Sequence, residues 1–304
     1  MNPVFVGAGV AIITPFDKDG QIDFERFSKL IEFQIANNTD AIIVCGTTGE
    51  GSTLSVKERL ELFSYAVTQV RGRVPVIGGT GSNSTFFTRD LALEAENTGI
   101  DAHLIVTPYY NKTSQHGLIK HYNYLADILK KPIIVYNVPS RTGLNITPET
   151  YKKLSEHKNI VAVKEADPNI NKLIKSIKLC EGKLDFYIGN DDMIAVSAYV
   201  GCKGVISVIS NILPSFTHNM TTAALKGQIG KANAMQADCL EFIEAIFCDV
   251  NPIPIKEAMK ILGYDTGYLR GPLAELTTEK ENKLEVVLYK YQSLITNENR
   301  PALI

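Results

Sequence analysis

The stretch AIIVC at residues 41–45 is followed by a helical segment, Ser55–Val70, and then by a second apolar run, Val74–Ile77. Short runs rich in β-branched residues are typical of strands, and apolar residues at helical spacing are typical of an amphipathic helix. Ser55 and Glu58 stand three positions apart, as in a capping box that begins a helix. Residues 41–77 therefore predict a strand, a helix and a second strand parallel to the first.

The same alternation recurs along the first two thirds of the chain. The apolar runs are Gly9–Thr14, Ala41–Cys45, Val74–Ile77, His103–Thr107, Ile133–Tyr136, Ile160–Val163, Phe186–Ile188 and Val205–Val208. Eight such units predict an α/β protein with a (β/α)8 TIM barrel. An open doubly wound sheet has the same local pattern and remains the alternative at this point.

After about residue 212 the β-branched runs stop and helical spacing takes over. The predicted helices are Thr217–Leu225, Lys231–Phe247, Ile255–Leu262 and Glu279–Leu294. We predict a catalytic barrel over residues 1–230 and a C-terminal helical region over residues 231–304 that packs on it.

Composition excludes several classes of protein. Among 304 residues, 31 Lys and Arg balance 33 Asp and Glu, and this near-neutral charge excludes a basic nucleic-acid clamp. The five cysteines form no C-x-x-C pair, so we expect neither a disulfide framework nor a zinc cluster. The chain start lacks a basic signal region, and its apolar residues 4–16 are fewer than the roughly 20 that span a bilayer. We expect a soluble cytoplasmic protein.

Lys164 ends the apolar run IVAVK at residues 160–164. Functional groups of parallel sheets collect where strands end, and such a strand is buried on both faces. Burial penalises the ammonium form of a lysine, and the neutral amine attacks carbonyl carbons to form a Schiff base. Alternatively, Lys164 extends out of the barrel mouth or pairs with Glu165.

The turn GTTGE at residues 46–50 follows the second strand. Its glycines would let backbone approach a ligand, and its hydroxyls and amide N–H groups suit a carboxylate. Gly46 and Gly51 have the spacing of a P-loop, but Ser52 stands where the phosphate-binding lysine belongs, so we exclude nucleotide binding. An ordinary turn is the alternative.

Three tyrosines and an arginine also follow strands. Tyr109, Tyr110 and Tyr136 are either core aromatics or, hydrogen-bonded to a hydroxyl such as that of Thr47, members of a proton relay. Arg141 lies in a glycine-containing loop, either as a solvated charge or as the anchor of a second carboxylate. Spacing alone leaves both choices open.

Five motifs together resemble the N-acetylneuraminate lyase superfamily of Schiff-base aldolases. They are GTTGE (46–50), PYYN (108–111), YNVPSRTG (136–143), VKE (163–165) and GVISV (204–208). Within the superfamily the chain is similar to the 4-hydroxy-tetrahydrodipicolinate synthases, also called dihydrodipicolinate synthases, over nearly its whole length.

The resemblance implies catalytic roles for four residues. Lys164 matches the lysine that forms a Schiff base with pyruvate, and Tyr136 matches the proton donor and acceptor beside it. Thr47 would link Tyr136 to Tyr110 in a proton relay. In this family the tyrosine that matches Tyr110 comes from the neighbouring subunit, so a tight dimer completes each active site.

The resemblance also implies binding roles. Thr47 and Thr48, largely through backbone N–H groups, would hold the pyruvate carboxylate, and Gly189 and the Ile206 main chain would line the pocket. Arg141 would hold the carboxylate of the second substrate, L-aspartate 4-semialdehyde. The implied enzyme uses no metal or other cofactor, acts in lysine biosynthesis by the diaminopimelate pathway, binds no nucleic acid or membrane, and forms a homotetramer of two tight dimers.

The chain departs from the family pattern at an effector site. In relatives that lysine inhibits, two histidines and a glutamate stand at the positions of Val56, Arg59 and Phe87. Phe87 cannot pair with the ammonium group of lysine, and Arg59 would repel it. We therefore predict weak or absent inhibition by lysine. A second departure, Thr113 where many relatives have proline, touches no proposed catalytic atom.

Two rival functions remain. A sister aldolase acting on a sugar acid would share Lys164, Tyr136 and the GTTGE turn, whereas Arg141 favours a substrate with a second carboxylate. A non-catalytic α/β binding protein would use the lysine only as a structural or surface charge.

Overall fold

The strands of the barrel are β1 (Gly7–Ala11), β2 (Ala41–Val44), β3 (Val76–Gly79), β4 (Ala102–Val106), β5 (Ile133–Asn137), β6 (Ile160–Glu165), β7 (Asp185–Ile188) and β8 (Gly204–Ser207). The computed structural model describes residues 2–264 and 266–298. All pairs are parallel and follow chain order, and β8 pairs with β1, with Ile206 beside Gly9. The closed sheet confirms the predicted (β/α)8 barrel and excludes the open doubly wound sheet.

All eight predicted strands exist, with shifted ends. The third begins at Val76 instead of Val74 because Pro75 between them has no N–H for the ladder. The first ends at Ala11 instead of Thr14. There the Ile13 N–H donates to the Asn211 side chain (3.2 Å) and not to the neighbouring strand.

Helices alternate with the strands of the barrel. They are α1 (Phe24–Ala36), α2 (Val56–Val70), α3 (Thr85–Glu96), α4 (Gln115–Ile128), α5 (Pro139–Thr142), α6 (Pro148–Leu154), α7 (Ile170–Cys180), α8 (Ile194–Tyr199) and α9 (Pro214–Leu225). The predicted capping box is present at α2: the Ser55 hydroxyl accepts from the Glu58 N–H, and the Glu58 carboxylate accepts from the Ser55 N–H.

Alternate side chains of the strands enter two cores. Inward residues such as Ile43, Leu104 and Ile134 fill the barrel. Outward residues such as Ile42 and Ile105 pack against the surrounding helices. This double burial explains why the strands are apolar at nearly every position, and why a lysine or a carboxylate at a strand end is conspicuous.

Four helices follow the barrel helices: α10 (Ile229–Ile246), α11 (Ile253–Ile261), α12 (Thr278–Lys290) and α13 (Gln292–Thr296). The prediction of one helix over Glu279–Leu294 is wrong. Tyr291 leaves helical geometry (φ −95°, ψ 11°) and packs its ring 5.6 Å from that of Phe242 on α10, which separates α12 from α13.

The predicted division between residues 1–230 and 231–304 stays a prediction. α10 begins at Ile229, and its neighbours include α9 of the barrel as well as α12. Asp265 and residues 299–304 of the predicted second region lie outside the described residues. Within residues 2–264 and 266–298, no helix combines the length and apolarity needed to cross a membrane.

Candidate active site

Two adjoining cavities of about 800 and 520 Å³ open at the carboxyl ends of the strands. Both are lined by Thr47, Tyr136, Val138, Ser140 and Arg141, so they are two parts of one site. Tyr110 lines the larger cavity, and Thr48, Lys164 and Gly189 line the smaller one. The fold thus gathers at one mouth residues from distant parts of the chain, from Thr47 to Asn251.

Lys164 reaches the smaller cavity from β6, where it lies beside Tyr136 of β5 and Tyr187 of β7. The residue is 6% exposed, and its Nζ lies 4.5 Å from the centroid of the Tyr136 ring. No hydrogen bond or ion pair joins this amine to another described residue. The nitrogen therefore faces the cavity without a partner that would hold it away from a bound carbonyl.

Glu165 is not the partner of Lys164, and this corrects one of the alternatives above. Successive residues of a strand point to opposite faces, so Glu165 lies outside the barrel wall. Its carboxylate accepts from the Asn137 amide (2.6 Å) and the Tyr151 hydroxyl (2.8 Å), and it pairs with Lys172 at 3.3 Å. Burial raises the pKa of Glu165, against the opposing charge of Lys172.

Gly189 gives the lysine its space. A Cβ at this position would lie 3.1 Å from Lys164 Cε and 3.0 Å from Ala166 Cβ, closer than packed side chains normally approach. Ile206, the remaining predicted site residue, is fully buried in the barrel interior. It is not among the described residues that line the two cavities.

The turn at residues 46–50 differs from the prediction in how it uses glycine. The left-handed residues are Cys45 (φ 57°) and Glu50 (φ 52°), and neither Gly46 nor Gly49 has a positive φ. A Cβ at Gly49 would lie 3.0 Å from the Ile12 carbonyl oxygen, so this glycine serves packing within the protein. Gly46 does line the larger cavity, as expected of a glycine that lets a ligand approach.

The three members of the predicted proton relay lie around the larger cavity, but no hydrogen bond joins Thr47, Tyr136 or Tyr110 to another within the described residues. The relay stays a prediction. Tyr110 is 91% exposed at a left-handed position (φ 68°), so it is not a core aromatic. Tyr136 is buried and contacts the cavity.

Arg141 lies on the short helix α5 and not in the irregular loop that the sequence predicted. Pro139 begins this helix, and Gly143 ends it in the left-handed conformation (φ 64°). The Arg141 guanidinium donates to the Asn251 carbonyl oxygen (3.0 Å) while it lines both cavities. The fork is therefore held at the site from one side only.

A model of the dihydrodipicolinate synthetase family matches residues 4–291. The chain belongs to this family. It is 49% identical to a 4-hydroxy-tetrahydrodipicolinate synthase of Caldicellulosiruptor saccharolyticus, over 95% of this chain and 98% of the relative. It is 46% identical to a 4-hydroxy-tetrahydrodipicolinate synthase of Acetivibrio thermocellus, over 95% of this chain and 98% of the relative.

Solved structures of the family agree with this assignment. Dihydrodipicolinate synthase of Aquifex aeolicus superposes with a TM-score of 0.93 at 41% identity, covering 96% of this chain and all of that one. The structure of the enzyme from Cyanidioschyzon merolae with lysine bound superposes with a TM-score of 0.92 at 34% identity, covering 95% of this chain and 98% of that one. The resemblance drawn from the five sequence motifs is thereby confirmed.

Asn251, which the motifs did not reveal, connects two parts of this family site. Its side-chain amide donates to the Thr48 hydroxyl (3.0 Å), and its carbonyl oxygen accepts from Arg141. It also lines the smaller cavity. No local pattern marks it, because an asparagine before a proline reads as a turn.

Asp191 is a second residue that sequence reasoning missed. It lines the smaller cavity with Lys164 and is almost fully buried. Its Oδ2 accepts from the Val208 and Ile209 N–H groups (2.9 and 3.1 Å), whereas Oδ1 has no partner in the described structure. Burial raises the pKa of Asp191, and the nearby Lys164 charge opposes this rise. The only sequence feature that could have pointed to Asp191 is the pair of acidic residues at 191–192, just after the seventh strand.

Neither a metal-binding cluster nor an ionised cysteine is found at this site among the described residues. No group of three or more His, Cys, Asp or Glu side chains among the described residues is arranged to hold a metal ion. All five cysteines are free thiols, and burial raises the pKa of Cys45 beside the cavity to about 12. The role of the Lys164 amine as the nucleophile of this site stays a prediction.

Proposed function

We propose that this chain condenses pyruvate with L-aspartate 4-semialdehyde, through a Schiff base on Lys164, to give 4-hydroxy-tetrahydrodipicolinate. The product enters the diaminopimelate route to lysine. The observation that carries the proposal is the buried, unpartnered Lys164 amine beside Tyr136 in a cavity. Relatives that are 45% to 49% identical over nearly the whole chain are named as synthases of this product.

The first steps form the imine. Lys164 Nζ attacks the ketone carbon of pyruvate, and the carbinolamine loses water, which carries away the ketone oxygen. Departure of that hydroxyl requires a proton. The Tyr136 ring centroid lies 4.5 Å from the amine nitrogen, so we assign this proton transfer to the Tyr136 phenol.

The protonated imine is the electron sink for the second stage. The methyl carbon of bound pyruvate loses a proton to give an enamine, which attacks the aldehyde carbon of the semialdehyde. The amino group of that substrate then attacks the imine carbon, closes the ring and expels Lys164. We assign the proton movements to Tyr136, Thr47 and Tyr110, with Tyr110 acting in a neighbouring subunit, a role that its 91% exposure supports.

The binding roles follow the lining of the cavities. Thr47 and Thr48 would hold the pyruvate carboxylate, with the Thr48 side chain oriented by Asn251. Gly189 leaves room for the imine, and the Ile206 main chain would complete the wall. Arg141, with part of its fork free toward the cavity, would bind the carboxylate of the semialdehyde.

For the whole protein we propose a cytoplasmic homotetramer built from two tight dimers, with a catalytic barrel over residues 1–230. Two observations support an assembled enzyme in a reducing compartment: the exposed Tyr110 beside the cavity, and five free thiols.

Borohydride reduction in the presence of pyruvate, followed by intact mass spectrometry, tests the chemistry. We expect each chain to gain the mass of one reduced pyruvate, and Lys164→Ala to gain none. A chain that gains no mass, or a variant that still does, would overturn the Schiff base. Turnover assays with aspartate semialdehyde and with N-acetylmannosamine test the substrate, and preference for the sugar would favour a sugar-acid aldolase.

A further inference from the structure

We propose that Arg270 is a positioning residue for the pyruvate site, because it ties the turn at residues 46–50 to the chain that follows α11. Arg270 lies between α11 and α12 and is not among the described residues that line the two cavities. It therefore acts through Thr47 and Thr48 and not by contact with a substrate. The inference rests on the role proposed above for these two threonines.

The Arg270 side chain brings three separate parts of the barrel mouth together. Its Nε donates to the Gly20 carbonyl oxygen (2.9 Å), and its Nη1 donates to the Thr53 carbonyl oxygen (3.2 Å). Its Nη2 donates to the Glu58 carboxylate, with which it forms an ion pair. These groups belong to the connection before α1, the segment after the turn and the first turn of α2. The rigid fork of arginine fixes the directions of these bonds, whereas lysine is a point charge on a flexible stem.

The chain beside Arg270 is itself fixed to the barrel. The Tyr268 N–H donates to the Phe16 carbonyl oxygen (2.9 Å), and the Tyr268 carbonyl oxygen accepts from Lys256 (2.6 Å). Gly267 is in the left-handed conformation (φ 68°), and a Cβ there would lie 1.8 Å from the same Phe16 oxygen. The guanidinium carbon of Arg270 lies 4.2 Å from the centroid of the Phe16 ring. This close packing gives Arg270 a fixed base.

The turn at residues 46–50 needs support because its backbone is strained where it begins and ends. Cys45 (φ 57°) and Glu50 (φ 52°) are left-handed, a conformation that costs free energy in residues other than glycine and persists only where the surroundings hold it. The buried Glu50 carboxylate accepts from the Arg270 main-chain N–H (3.0 Å). The Glu50 N–H donates to the Thr47 carbonyl oxygen (3.1 Å), so a displacement of Glu50 is passed directly to Thr47.

Removing the Arg270 side chain leaves fewer buried charges unpaired than removing that of Lys256 would. The Glu58 side chain is 23% exposed and keeps its capping bonds to Ser55. Glu50 keeps its ion pair with Lys256 and its bond to the main-chain N–H of residue 270. Variants at Arg270 should therefore stay folded while the turn loses one of its supports.

Arg73 offers a matched control, because it makes the same kinds of bonds away from the mouth. Its guanidinium donates to the Glu32 carboxylate (2.8 and 2.6 Å) and to the carbonyl oxygens of Gln69 and Val70 (2.7 and 2.9 Å). It lies between α2 and β3, at the amino end of the strands, and is not among the described residues that line the cavities. Arg73→Met should therefore show what the loss of such a side chain does to stability alone.

The experiment measures borohydride trapping of pyruvate, by intact mass spectrometry, over a series of pyruvate concentrations. The assembled proteins are wild type, Arg270→Met, Arg270→Lys and Arg73→Met, with a thermal midpoint recorded for each. We expect Arg270→Met to raise the pyruvate concentration for half-maximal trapping, and KM for pyruvate, about 10-fold, because a misplaced binding group weakens the bound state. Saturating pyruvate should restore full trapping, and kcat should change little. Arg270→Lys should be intermediate, and Arg73→Met should match wild type.

Hydrogen exchange gives a readout that a purely structural contact would not change. If the turn and the chain at Arg270 are coupled, pyruvate binding must slow exchange of the amides of residues 268 and 270, since coupling between two sites is reciprocal. We expect this slowing in wild type and in Arg73→Met, and much less of it in Arg270→Met.

Three results would overturn the proposal. One is an Arg270→Met protein whose pyruvate dependence equals that of wild type. Another is an equal rise in Arg73→Met, which would show a general loss of stability. The third is exchange at residues 268 and 270 that pyruvate leaves unchanged. If Arg270→Met does not fold, Arg270→Lys gives the same comparison. Failure of the reaction is distinguishable, since a wild-type chain that traps no pyruvate refutes the Schiff base and this role with it.

Discussion

Lys164 and Lys256 are both buried at the carboxyl end of the barrel, 6% and 3% exposed, yet their surroundings are opposite. The Lys256 amine donates to the Thr14 carbonyl (3.0 Å), the Glu50 carboxylate (2.8 Å) and the Tyr268 carbonyl (2.6 Å). Lys164 has no hydrogen-bond acceptor among the described residues, and its amine lies 4.5 Å from the centroid of the Tyr136 ring.

This difference shows that burial alone does not make a lysine reactive. An ammonium group has three donors, and Lys256 uses all of them: one fastens α11 to Glu50 in the turn that begins at Gly46, and the others bind the Thr14 and Tyr268 carbonyl oxygens. Lys164 keeps its nitrogen directed at a cavity. One lysine stabilises the mouth of the barrel, and the other is available for chemistry.

The largest expected effects come from removing each of these two lysine side chains: one removal should abolish activity, and the other should lower stability. Lys164→Ala should abolish turnover and pyruvate trapping, with little change in thermal midpoint, because no protein partner is left unpaired. Lys256→Met should leave the Glu50 carboxylate buried and unpaired and lower the free energy of unfolding by about 3–5 kcal/mol. Denaturant unfolding and borohydride trapping below the midpoint measure both quantities.

The double variant Glu50→Gln with Lys256→Met is the matched control, because it removes the charge that Lys256→Met leaves behind. It should recover part of the lost stability. Unfolding free energies equal to wild type in Lys256→Met, or a Lys256→Met chain that is folded but unable to trap pyruvate, would contradict the contrast between the two lysines.

Tyr136→Phe sharpens the comparison, since it keeps the ring that faces Lys164 and removes only the hydroxyl. We expect kcat to fall about 10²- to 10⁴-fold, as for loss of a general acid and base, with an unchanged circular dichroism spectrum. Steady-state assays at saturating substrate measure this. Turnover like that of wild type would show that Tyr136 is only a packing neighbour of Lys164.

Arg141 lies between the two lysines in its number of partners, with one main-chain acceptor on Asn251. Arg141→Ala should raise KM for the semialdehyde about 10- to 100-fold by removing a charge-assisted contact, and should change KM for pyruvate much less. Initial rates with each substrate varied in turn separate the two constants. Equal effects on both would argue against the assignment.

The smallest expected effect is that of free lysine. Arg59 is buried beside the larger cavity, while Phe87 is 43% exposed on α3 and Val56 is half-buried at the start of α2. None of these side chains can pair with an ammonium group, and Arg59 repels it. Turnover should be unchanged in lysine up to the millimolar range, and an inhibition constant well below millimolar would prove the prediction wrong.

Local patterns predicted much of the fold because each one depends on neighbours in the chain. The eight apolar runs became eight strands, and the Ser55 capping box begins α2. Errors occurred where a distant group intervened. α12 ends before Tyr291, whose ring contacts Phe242. The first strand ends where the Ile13 N–H donates to the Asn211 side chain instead of to a neighbouring strand.

By itself the sequence placed Lys164, Tyr136, Arg141 and the turn at residues 46–50 at the ends of strands, since strand period and motif spacing are local properties. Only the tertiary structure decided which charges have partners. Asn251 meets Thr48 across 203 positions, and Lys256 meets Glu50 across 206. Contacts at such separation depend on how the helices pack on the barrel. The hydrophobic effect that drives this packing depends on the apolar area removed from water and not on where the residues stand in the chain. Among the described residues, that packing gave Lys256 three acceptors and left Lys164 and Arg59 without a hydrogen-bond or ion-pair partner.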